Sequence, residues 1–111
     1  MTESGERAMR SLMALKERPT AVFVCNDLMA LGCMMVANEL RLKIPEDVAI
    51  VGFDNIPEAG RVCPTLTTVA QFPKEMGAQM ANALFERIEG RVKGPGRSFE
   101  IPCKLIVRES A

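Results

Sequence analysis

The chain contains no histidine, no tryptophan and no tyrosine. Without histidine, the commonest general base and the commonest metal ligand are missing. Neither a Cys–His nor a Ser–His nucleophile can form within its 111 residues. Without tryptophan or tyrosine, stacking on a sugar or a base falls to phenylalanine. A charge excess is missing too: 14 basic and 14 acidic residues cancel, and no run of Lys or Arg exceeds two. A domain that neutralises DNA phosphates carries a basic excess on one face, so this chain by itself is not built to bind DNA. No apolar run approaches the roughly 18 residues of a membrane-spanning helix. Residues Met1 to Gly5 are polar and lack the apolar stretch of a secretory leader. No phosphate-binding glycine loop and no internal repeat is found. The expectation is a small cytoplasmic α/β unit with no membrane association.

The four cysteines, Cys25, Cys33, Cys63 and Cys103, form no CxxC pair and match no zinc spacing. No metal and no cofactor is expected. Cys25 and Cys103 stand in strand-like runs and Cys33 in an apolar helix, where a free thiol acts as a small buried hydrophobe.

Hydrophobic patterning supplies the elements. Glu3 to Lys16 reads as a helix with an Ala8, Met9, Leu12, Leu15 stripe, capped by Ser4 or Thr2. Ala21 to Cys25 is a continuous apolar run, the pattern of a strand buried on both faces of a parallel sheet. A helix follows to about Arg41, with Asp27 as its natural cap. Its stretch from Leu28 to Ala37 carries no charge and no polar side chain. A helix covering one sheet face needs only an apolar stripe, so a second face must also be covered. Val48 to Phe53 is a second buried strand, and Thr65 to Gln71 a shorter third. Pro73 opens a helix to about Glu89, with Met76, Met80, Leu84 and Ile88 every four residues and Gly90 as its stop. Phe99 to Val107 is a last strand, with Pro102 marking an edge or bulge. Strands alternating with helices indicate an α/β fold, a partial three-layer α/β/α sandwich around a mostly parallel sheet.

Several stretches then match one pattern in order. Pro19-Thr20-Ala21-Val22-Phe23 with Asn26-Asp27-Leu28-Met29-Ala30-Leu31-Gly32 resembles a segment of the LacI/GalR family of transcription regulators. Ile44-Pro45-Glu46-Asp47-Val48-Ala49-Ile50-Val51-Gly52-Phe53-Asp54-Asn55 is similar to a second. Pro64-Thr65-Leu66-Thr67-Thr68-Val69 with Gln71 resembles the family's hinge, and Leu105-Ile106-Val107-Arg108-Glu109-Ser110 its terminus. The resemblance implies a fragment of a periplasmic-binding-protein-like type I fold. Residues 1–111 would be the C-terminal part of an effector-binding and dimerisation domain. The helix-turn-helix headpiece and most of the N-terminal subdomain would lie outside it. The helix after Gln71 would belong to the other subdomain.

Asn26, Asp54 and Gln71 stand at the ends of expected strands, where parallel sheets bind ligands. A carboxylate accepts hydrogen bonds from two vicinal hydroxyls, and an amide both donates and accepts, a set suited to a sugar or related polyol. The resemblance implies that these three line an effector cleft. Each also has a structural reading, as a cap for Asn26 and Asp54 or as a hinge residue for Gln71, and Asp27 reads as a cap rather than a ligand. The resemblance further implies a homodimer through Leu31, Met34, Met35 and Val62, with operator DNA reached only through the headpiece. Three other functions share parts of this pattern. A periplasmic-type sugar-binding protein would use the same three polar residues. A dimerisation fragment would have no ligand affinity. An enzyme would need a nucleophile–base pair, and none is visible around Asp54 or the cysteines. The reading is therefore a non-enzymatic regulator domain.

Overall fold

The computed structural model describes all 111 residues. Three helices and four strands follow one another as α1 (Thr2–Met13), β1 (Ala21–Phe23), α2 (Asp27–Glu39), β2 (Ala49–Asp54), a 3-10 turn (Pro57–Gly60), β3 (Thr67–Ala70), α3 (Pro73–Ile88) and β4 (Lys104–Ile106). The strands form one sheet in the order β1-β2-β3-β4. The first three are parallel, and β4 runs antiparallel to β3. The chain separates into two compact units: Met1–Ala70 with Lys104–Ala111, and Gln71–Cys103.

In the first unit the core gathers Met9, Met13, Val24, Ala30, Cys33, Val36, Val48, Ile50 and Leu66. On β2, Ile50 and Gly52 are buried, whereas Ala49, Val51 and Phe53 are half-buried. One face of that strand is therefore fully covered, and the other partly. The helix α1 docks on α2 without side chains between the backbones. A Cβ on Gly5 would lie 2.0 Å from the Met29 carbonyl oxygen, and one on Gly32 would lie 2.1 Å from that of Thr2. The Cys33 thiol spans the same crossing and donates to the Gly5 carbonyl over 3.4 Å.

This crossing accounts for a difference from the expected stripe. The buried positions of α1 are Gly5, Met9 and Met13, four apart. Ala8 and Leu15 are exposed, and Leu12 is half-buried. The docking point is a glycine, which apolar periodicity does not register. The cap also differs: Met1 holds that position, with no side-chain bond from Ser4 or Thr2. The strand expected over Ala21 to Cys25 shortens to β1, which is an edge. Phe23 is 64% exposed and only Val24 of the run is buried. An apolar run marks a strand whose faces are meant to be covered; it does not supply the cover. The last strand contracts from Phe99–Val107 to β4. Pro102 lacks the N–H that pairing requires, and the ladder starts two residues beyond it.

A closing segment seals the amino end of the sheet. Ser110 is fully buried. Its hydroxyl accepts from the Thr67 N–H at 2.8 Å and donates to the Ile50 carbonyl at 2.5 Å, while its own carbonyl accepts from the Ile50 N–H at 2.9 Å. Beside it, Glu109 accepts from the backbone and hydroxyl of Thr65, and those bonds hold its carboxyl below the usual carboxylate range.

In the second unit, α3 carries the expected four-residue repeat, but no residue of it is buried. Met80 is 67% and Ile88 68% exposed. The segment after it bonds back to the helix: Arg97 pairs with Glu86 at 2.7 Å and lies over the Phe99 ring at 5.3 Å.

Candidate functional site

The carboxyl ends of the parallel strands present the polar residues. Asn26 follows β1, Asp54 is the last residue of β2, and Gln71 follows β3 directly. Asn26 is the cap of α2. Its extended backbone (φ −156°) turns the side-chain oxygen onto the Met29 N–H at 2.9 Å. The capping role expected of Asp27 thus falls to its neighbour. The cap leaves the Asn26 amide nitrogen as a donor, directed at the Met1 sulfur over 3.4 Å.

Asp54 is half-buried and has φ 121°, followed by Asn55 at φ 58°. Positive φ in two successive non-glycine residues is rare, and Asp and Asn tolerate it best. It costs about 1–3 kcal/mol per residue and persists where the surroundings hold it in place. Asn55 is clamped from the closing segment: the Arg108 guanidinium donates to its side-chain oxygen and to the Leu66 carbonyl, both at 2.8 Å.

Asp27 is the residue that sequence reasoning undervalued. It is fully buried at the first turn of α2. Its carboxylate accepts from the Thr68 hydroxyl at 2.6 Å and from the Ile56 N–H at 2.9 Å. A Cβ on Gly52 would lie 2.2 Å from its oxygen, so the glycine keeps room for it. Thr68, Ile56 and Gly52 lie in segments far from Asp27 in sequence, and no local signal connects them.

The four residues expected at a subunit contact do lie together. Leu31, Met34, Met35 and Val62 line one open apolar groove with Asn38, Leu42, Ile44, Cys63 and Pro64. Leu28 and Met35 are exposed on α2, and Leu31 is half-buried against the core. Met34 is buried at the groove floor, and Met35 is 51% exposed at its rim.

The cysteine expectation holds for one of four. Cys33 is buried, and burial pushes its thiol up. Cys25, Cys63 and Cys103 are exposed. Cys25 and Cys103 sit just past β1 and just before β4, where the runs that suggested burial have left the sheet.

A mostly parallel sheet with polar side chains at its carboxyl edge is the plan of a small-molecule-binding α/β domain. The chain belongs to the periplasmic binding protein-like domain family, whose profile matches residues 1–111. It is 40% identical over 108 residues to the HTH-type transcriptional repressor PurR of Erwinia tasmaniensis, covering 97% of this chain and 31% of that protein. Among solved structures it is similar to the transcriptional regulator CelR in complex with cellobiose, with TM-score 0.92 and 38% identity over 100% of this chain and 34% of that one. A LacI family transcriptional regulator from Enterococcus faecium with bound ribose superposes with TM-score 0.85 and 32% identity, over 98% of this chain and 40% of that one. The chain thus spans about a third of the length of the curated relatives it matches. No helix is long and apolar enough to cross a membrane.

Proposed function

We propose that the chain is the C-terminal part of the effector-binding and dimerisation domain of a LacI-family DNA-binding transcriptional regulator, and that its effector is a sugar or related polyol. The observation that carries this reading is Asp54. It is a half-buried carboxylate on a strained backbone at the carboxyl end of the central parallel pair, in a family whose members include regulators solved with cellobiose and with ribose. Asp54 accepts hydrogen bonds from ring hydroxyls, and the Asn26 amide nitrogen donates. Operator DNA is bound by a separate headpiece. The charge-balanced composition of this segment agrees with that division. The groove lined by Leu31, Met34, Met35 and Val62 is the homodimer contact. The role is non-enzymatic, as the relatives named as repressors and regulators suggest, and its place is the cytoplasm with the DNA.

The test is calorimetric titration of the full-length regulator with a panel of sugars that includes D-ribose and cellobiose. Asp54→Ala should weaken binding about 100-fold, the loss of two hydrogen bonds to a charged group, while operator binding persists. A sugar held equally well by wild type and variant would remove Asp54 from the site. A wild-type protein that bound none of the panel would overturn the sugar assignment.

A further inference from the structure

We infer that Asp27 and Thr68 form a positioning pair for the effector site: from behind the sheet edge they set the backbone of the Asp54–Ile56 corner without touching the effector. This rests on the reading of Asp54 as an effector contact. A fully buried carboxylate needs a reason, because leaving water is costly unless its oxygens are satisfied. Capping does not supply it, since Asn26 already caps α2. An ion pair does not supply it either: the two partners of Asp27 are a hydroxyl and a backbone amide. Both belong to the walls of the Asp54 corner.

The geometry is specific. The Thr68 hydroxyl has one proton, and it is directed at Asp27 over 2.6 Å. Its lone pairs are then left to face the Asn55 N–H, 3.4 Å away. The next amide, Ile56 N–H, goes to the second Asp27 oxygen at 2.9 Å. The two consecutive amides after Asp54 are therefore anchored, one to each member of the pair. Those anchors follow the positive φ of Asp54 and flank that of Asn55, a conformation a free chain would leave. The direction in which the Asp54 side chain leaves β2 is fixed by this arrangement. Gly52, two residues earlier on the strand, is the position whose missing Cβ lets the Asp27 carboxylate reach in.

The experiment uses the full-length protein with Thr68→Val, which removes the hydroxyl at nearly constant shape, and Thr68→Ser, which restores it. Hydrogen–deuterium exchange resolved to single amides compares Asn55 and Ile56 with Ile50, whose N–H bonds to Ser110 at the opposite end of β2. In Thr68→Val, Asn55 and Ile56 should exchange at least about tenfold faster with Ile50 unchanged, and Thr68→Ser should return them to wild-type rates. Unchanged corner amides, or an equal acceleration at Ile50, overturn the inference. If Thr68→Val does not fold, Asp27→Asn serves the same comparison. It places a donor group where two acceptors stood, and corner amides unaffected in it are equally fatal. In parallel, D-ribose and cellobiose are titrated against all variants. A sugar bound by wild type should bind Thr68→Val at least about tenfold more weakly and Thr68→Ser normally, and equal affinity across the three overturns the link to binding. If neither sugar binds wild type, the sugar reading of Asp54 fails for them, while the exchange rates still decide whether the pair sets the corner.

Discussion

At the scale of single residues, the cysteines give a direct readout of which environments the chain builds. Cys33 is shielded at the α1–α2 crossing, its thiol pushed up by burial and donated to the Gly5 carbonyl. Because the thiolate is the reactive form, it should resist a thiol reagent that modifies Cys25 and Cys103 promptly in the native protein, and it should react only after denaturation. Mass mapping of labelled peptides over time checks this; rapid native labelling of Cys33 would contradict the crossing. Residue identity alone made Asn26 and Asp54 visible as polar side chains at strand ends. It left the cap open between Asn26 and Asp27, because both residue types cap helices well. What separates them is a threonine 41 positions away in sequence from Asp27, a relation no local pattern contains.

At the scale of elements, the crossing of α1 and α2 is the tightest contact in the first unit. Gly32→Ala should cost about 1–3 kcal/mol, since the new methyl would fall on the Thr2 carbonyl and the helices would have to separate. Thermal unfolding should show a midpoint lower by on the order of 10 °C. An unchanged midpoint would mean that the helices part freely. The periodic elements were legible: α2, β2, β3 and α3 stand near the residues that patterning assigns them. The shortfalls share a cause. For α1, β1 and β4, what decided the outcome was contact with another segment, or the lack of one: a glycine docking point, an outer strand paired on one side only, and a proline that delays pairing. Sequence patterning reports what a surface is suited to, whereas burial depends on what is there to meet it.

At the scale of the whole molecule, the apolar groove on the first unit carries the prediction about assembly. Met35→Glu places a charge at its exposed rim without disturbing a buried side chain. On the proposed homodimer reading, the full-length wild type should sediment as a dimer and the variant as a monomer of preserved thermal stability, because a desolvated, unpaired charge at an interface is costly. Cys63 lines the same groove, so its labelling should quicken in the variant. A dimer that persisted, with Cys63 equally reactive, would place the contact elsewhere.

The burial of Ser110 also has a consequence for the order of events in synthesis. The first unit is discontinuous: residues up to Ala70 and those from Lys104 onward, with all of Gln71–Cys103 made in between. The Ile50 and Thr67 amides find their partners in Ser110, which leaves the ribosome after all of Gln71–Cys103. A nascent chain can pair β2 with β3 early, but the amino end of that pair stays open until the residues after Lys104 have been made. This segment therefore completes its sheet as a late step, with a long-range contact that spans the second unit.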